Sequence, residues 1–140
     1  MRRDRLDLML IAALGALLLL TTAAVADERP PVETTIRRAD FQAIWRRGAQ
    51  KFVSQVLTRP YLRGRRFVGF EILALFPNDK RFRDARIKPG DVVITVNGYR
   101  LERPKQFMAA WAALGKATRL DFEILRDGKP QHVLYRIVEK

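Results

Sequence analysis

The chain has 140 residues, of which 48% are hydrophobic and 30% charged, and it carries 27 Lys and Arg against 15 Asp and Glu, a formal charge of +12. It has no Cys, one His (His132) and one Ser (Ser54). A disulfide scaffold, a Cys-ligated zinc site and a Cys nucleophile are therefore excluded, and a Ser-His-Asp triad would have to use the only Ser and the only His. The composition favours a binding module of one domain over an enzyme, with no cofactor and no metal.

The first 26 residues look like an address. Arg2, Arg3 and Arg5 form a basic start, Leu8 to Leu20 is an uncharged apolar run, and Ala24-Val25-Ala26 has the form of a cleavage site. The alternative is a retained anchor, because Leu8 to Ala26 is 19 residues without a charge, close to the roughly 20 that span a bilayer. Either reading puts the rest of the chain in the periplasm, soluble after cleavage or anchored in the inner membrane by residues 8–26. Residues 27–140 hold 24 basic and 13 acidic residues.

Residues 27–38, with Pro30-Pro31, read as a linker, and the folded domain as residues 39–140. Asp40 is placed to cap a helix running through Arg47, with Phe41, Ile44 and Trp45 on one face. Gly48 interrupts it, and Ala49 to Ser54 adds a turn. Gln55 to Leu62 reads as a strand, with Pro60 pointing to a sheet edge. Gly64 turns the chain. Phe67 to Phe76 is apolar and β-rich, and ends at Pro77-Asn78-Asp79. A short helix is expected before the next strand. Asp91 to Asn97 alternates Val92, Ile94 and Val96 and stops at the turn signal Asn97-Gly98. Pro104 starts a helix to Leu114, with Gly115 as its C-cap. Leu120, Phe122 and Ile124 alternate up to Asp127-Gly128, and Val133, Tyr135 and Ile137 alternate on the way back, which makes a hairpin. The expected class is α+β: a small, partly open β-barrel with two helices, preceded by an N-terminal helix.

This pattern resembles a PDZ domain. Phe67-Val68-Gly69-Phe70-Glu71-Ile72 stands where such domains carry a Gly-Leu-Gly-Phe loop. Ile87-Lys88-Pro89-Gly90-Asp91-Val92-Val93-Ile94-Thr95-Val96-Asn97-Gly98 is similar to the bacterial form of the next strand. Arg59-Pro60-Tyr61-Leu62-Arg63-Gly64, between a helix and Phe67 to Phe70, resembles the lead-in to the PDZ domain of the type II secretion system protein C family. The resemblance covers roughly Arg38 to Val138. One departure is visible: that family places a separate homology region between membrane and PDZ, and here only a short linker follows Ala26.

The resemblance implies a non-enzymatic interaction module that binds an extended segment as an added strand, between a sheet edge and a helix. It places the peptide-binding residues at Phe67, Val68, Gly69, Phe70, Glu71, Ile72, Met108 and Trp111. Gly69 would form the carboxylate-binding turn, Phe70 to Ala74 would offer its edge, and Met108 and Trp111 would face it from the helix. Pro104 stands where a polar specificity residue is usual, so apolar ligand side chains are favoured. The expected partners are protein or peptide segments, with secretion-system envelope proteins first among them. The alternative is a periplasmic adaptor for C-terminal or extended segments, with a link to envelope proteolysis.

Arg37, Arg38, Arg46, Arg47, Arg59, Arg63, Arg65 and Arg66 gather early in the exported part. They form a basic surface open to solvent, or suited to an anionic membrane or to acidic partners. Export and the lack of a base-stacking pattern argue against nucleic acid.

Overall fold

The computed structural model describes residues 33–140, so the signal-or-anchor segment lies outside the described residues. In chain order the elements are β1 (Glu33–Arg37), α1 (Arg38–Trp45), α2 (Ala49–Val53), β2 (Val56–Arg63), β3 (Arg66–Leu75), a 3-10 turn (Lys80–Phe82), β4 (Val92–Val96), β5 (Tyr99–Arg100), α3 (Pro104–Leu114), β6 (Arg119–Arg126) and β7 (Lys129–Val138). The seven strands form one mixed sheet in the order β1-β7-β6-β4-β3-β2, with β5 paired to β4 off that path. Neighbours are antiparallel except β1 and β7. The α+β class and the PDZ-like order of elements are those expected. The expected partly open barrel is open: the sheet ends on β1 and β2, which do not pair.

Local chemistry explains most of the boundaries. Asp127 and Gly128 both have positive φ, 53° and 74°, as do Asn97 and Gly98, 46° and 79°. Asn and Asp tolerate that region better than most side chains, and glycine has no side chain to clash. The Asp127-Gly128 turn sets Arg126 opposite Lys129 and so fixes the register of β6 and β7. Pro104 opens α3 at its first turn, where a missing N–H costs nothing, and Gln106 Oε1 accepts from the Arg103 N–H at 2.9 Å.

Three details differ from expectation. Arg37, not Asp40, precedes α1. Asp40 sits in the first turn and accepts from Arg37 Nε at 2.9 Å. Gly115 has a helical φ of −57° rather than a left-handed one. It is glycine because the Trp45 ring lies against it, and a Cβ there would stand 2.8 Å from Trp45 Cε2. Residues 33–37, read as linker, are strand β1. Glu33 pairs with Leu134 and Arg37 with Val138, and Arg136 Nε donates to Glu33 at 2.7 Å.

The core lies over the middle of the sheet. Ile72, Ile87, Val93, Leu120, Ile124, Val133, Tyr135 and Ile137 form it, and Phe122 packs half-buried at its margin. Asp91 is the one buried charged residue among those described. It accepts from the Lys88 N–H at 2.8 Å and from Arg126 Nε and Nη2 at 2.8 and 2.7 Å. Arg126 Nη2 also donates to the Arg86 carbonyl at 2.7 Å, so one ion pair ties the Pro89-Gly90 turn to the end of β6. The hydrogen bond with Asp91 holds the Arg126 pKa above the usual arginine value.

Candidate peptide-binding edge

The structure distributes the expected site residues over two places. Phe67 to Ile72 all lie in β3, and β3 is interior. It pairs with β2 along its length and with β4 at Phe70↔Val93 and Glu71↔Val92. Beyond that, the Ile72 N–H donates to the Asp91 carbonyl and the Ile72 carbonyl accepts from the Gly90 N–H, both at 2.8 Å. The stretch from Phe70 to Ile72 is therefore paired on both sides and has no free edge to offer, while Ala74 pairs with β2 alone.

Gly69 is not at a turn either. It is buried in the strand, and a Cβ there would collide with the Val93 carbonyl oxygen and stand 3.0 Å from Val92 Cγ1. The glycine exists so that two backbones can approach. Val68 is passed over in the pairing, because Tyr61 faces Gly69 and Leu62 faces Phe67. That bulge shifts the alternation by one and brings the Phe67 and Phe70 rings together at 5.0 Å. Glu71 is held by Arg59 across the hairpin, and Ile72 is spent in the core.

The open edge is one strand further out. β2 ends the sheet, none of its residues is buried, and Leu57 and Leu62 are 60% and 52% exposed. An outer strand presents unpaired N–H and C=O groups along one side. Pro60 interrupts that row because it has no N–H, which restricts added pairing to the parts of β2 on either side of it.

Aromatic packing places α3 beside the head of this strand. The Phe52 ring, in α2 just before β2, lies 5.2 Å from Trp111 and 5.5 Å from Phe76. Phe76 in turn stacks on Phe82 at 4.0 Å. Phe76 has φ of 42°, uncommon for a bulky residue, and these rings and its N–H bond to the Gln55 carbonyl at 2.9 Å fix it there. Trp45 Nε1 donates to the Trp111 carbonyl at 2.9 Å. Trp111 is thus half-buried and structural on one side. Met108, one turn earlier on the same helix stripe, is 54% exposed. Met108 and Trp111 remain candidate site residues on α3, and Trp111 reaches towards the head of β2 through Phe52. Pro60 was the sequence signal for this edge, and Phe52 had none.

The charge around the edge is mostly positive. A cleft of about 350 Å³ between α1–α2 and the loop after β3 is lined by Ile44, Phe52, Phe76, Arg47, Lys51 and Lys80, with Asp79 and Arg81 beside them. Arg81 binds Asp79 at 2.6 Å, and its hydrogen bonds hold the Asp79 carboxyl below the usual carboxylate range. Arg63, Arg65 and Arg66 are exposed at the other end of β2. Among the described residues no group of His, Asp or Glu side chains could hold a metal ion. His132 is exposed on β7 and contacts Asp121 at 2.8 Å. Among the described residues no helix is long and apolar enough to cross a membrane.

No family model and no curated protein matches the chain. Solved structures similar to it include the PDZ domain of the pullulanase C protein of the type II secretion system from Klebsiella pneumoniae, in complex with fatty acid, at 20% identity over 69% of this chain and 99% of that one, with a TM-score of 0.47. The PDZ domain of EpsC from Vibrio cholerae is similar at 18% identity over 71% of this chain and 96% of that one, with a TM-score of 0.49. A shorter piece of the same EpsC domain matches at 19% identity over 59% of this chain and 93% of that one, with a TM-score of 0.46.

Proposed function

We propose that this chain is a non-enzymatic protein-interaction module of the bacterial cell envelope, a component or accessory of type II protein secretion, and that it meets its partner along β2 and the neighbouring face of α3. The observation that carries the reading is the unpaired outer side of β2, with exposed Leu57 on the strand and exposed Met108 on α3, the helix packed beside its head. Such an edge gains backbone hydrogen bonds from an added strand, and its apolar side chains supply selectivity. The envelope location rests on the basic, apolar and Ala-Val-Ala pattern of residues 1–26. The link to secretion rests on the Arg59-to-Gly64 lead-in and the Pro89-Gly90-Asp91 to Asn97-Gly98 segment.

The test is cross-linking and co-purification of the full chain from the envelope of a bacterium that has a type II system. Secretion-system membrane proteins are expected with the wild-type chain and lost with Leu57→Asp. Recovery as a free soluble protein without them would overturn the secretion assignment.

A further inference from the structure

A free C-terminus bound at the head of an edge strand needs backbone N–H groups that converge on its carboxylate. In the turn that leads directly into β2, those groups are already spent. The Phe52 N–H donates to the Gly48 carbonyl at 3.1 Å, the Ser54 N–H to Gln50 at 3.1 Å, and the Gln55 N–H to Phe52 at 3.0 Å. The helical turn of α2 occupies the place of an open nest. The apolar space beside Trp111, where a terminal side chain would lodge, is filled by the chain's own Phe52. An incoming segment can therefore pair with β2 without ending at its head.

Charge narrows the partner further. Arg47, Lys51 and Lys80 stand around the cleft beside the head, and Arg63, Arg65 and Arg66 are exposed at the far end. The nearby carboxylates Asp79 and Glu71 are engaged by Arg81 and Arg59. A second copy of β2 would bring the same cations against these, with Pro60 interrupting both strands, so self-pairing is disfavoured. We infer that β2, on the edge reading proposed above, takes an internal, acidic, extended segment of a partner protein and not a C-terminus. The complementarity acts at exposed side chains, so binding weakens as salt screens it.

The test is titration of the full chain with a peptide of alternating valine and glutamate. It is used capped at both ends, with a free carboxylate, and with lysine in place of glutamate. The capped and free-acid glutamate peptides are expected to bind within about twofold of each other, and the lysine peptide about tenfold or more weaker. Binding should fall as salt is raised. Leu57→Asp and, separately, Lys51→Glu should each weaken the glutamate peptides, and circular dichroism checks that each variant is folded. A free-acid peptide about tenfold tighter than the capped one would overturn the internal-segment claim and leave the edge reading in place. Equal binding of glutamate and lysine peptides would overturn the acidic claim. Concentration-dependent self-association abolished by Leu57→Asp would assign the edge to a second copy. No binding by any of the three would contradict the edge reading itself.

Discussion

In the middle of the sheet Ile124 has no exposed surface, while on β2 Leu57 keeps 60% of its own. The central strands β4, β6 and β7 supply Val92, Val93, Val96, Leu120, Ile124, Leu125, Val133, Tyr135 and Ile137 to the buried set, and β2, α1 and α2 supply none. The centre is closed by burial and by the Asp91–Arg126 pair. The edge is held by its hairpin with β3 and by a few rings, Trp45, Phe52 and Phe76, that join it to α3 and the loop after β3. On the function proposed above, stability resides in one region and the capacity to bind in the other. A substitution should move one of these properties with little effect on the other.

The largest effect expected is at the centre. Ile124→Ala should cost about 4 kcal/mol, because the fully buried side chain leaves a cavity that its neighbours fill only in part. Denaturant unfolding measures this. Asp91→Ala should cost about 3 kcal/mol, since it leaves Arg126 and the Lys88 N–H without their acceptor. Arg126 is partly exposed and recovers some hydration, which keeps the loss at that level. Gly69→Ala should cost about 2 kcal/mol by pushing β3 from the Val93 carbonyl. Its control is Gly64→Ala, at φ 60° with open space around it, which should cost about 1 kcal/mol from backbone strain alone. At the edge, Leu57→Asp should change stability by less than about 0.5 kcal/mol while removing partner binding. If Leu57→Asp unfolded the chain, or Ile124→Ala left it unchanged, the division between the two regions would fail.

Much of the fold was legible in the sequence because local signals carried it. Pro104, Asn97-Gly98, Asp127-Gly128 and the alternation of Leu120, Phe122 and Ile124 each specify a nearby geometry. β1 was not legible. Its five residues are mostly polar, and its partner β7 lies at the other end of the chain, so no local pattern marks it. The site was legible only in part. Met108 and Trp111 share one helix stripe, as their spacing implies, and enter the proposed site on that ground. The pairing of Phe70 to Ile72 on both sides was not legible, because whether a strand is an edge depends on who pairs with it from both sides, and the β4 contact is long-range. Gly69 could equally serve a turn or a close approach, and only the position of the Val93 carbonyl decides between them. Pro60 did mark the true edge, since an outer strand tolerates its missing N–H.

The most direct test of the edge is amide hydrogen exchange on the full chain, with and without the capped valine-glutamate peptide. New protection confined to β2 residues between Val56 and Arg63, with none gained from Phe70 to Ala74, is the predicted result. Protection gained at Phe70 to Ala74 with β2 unchanged would contradict it and restore the groove to β3.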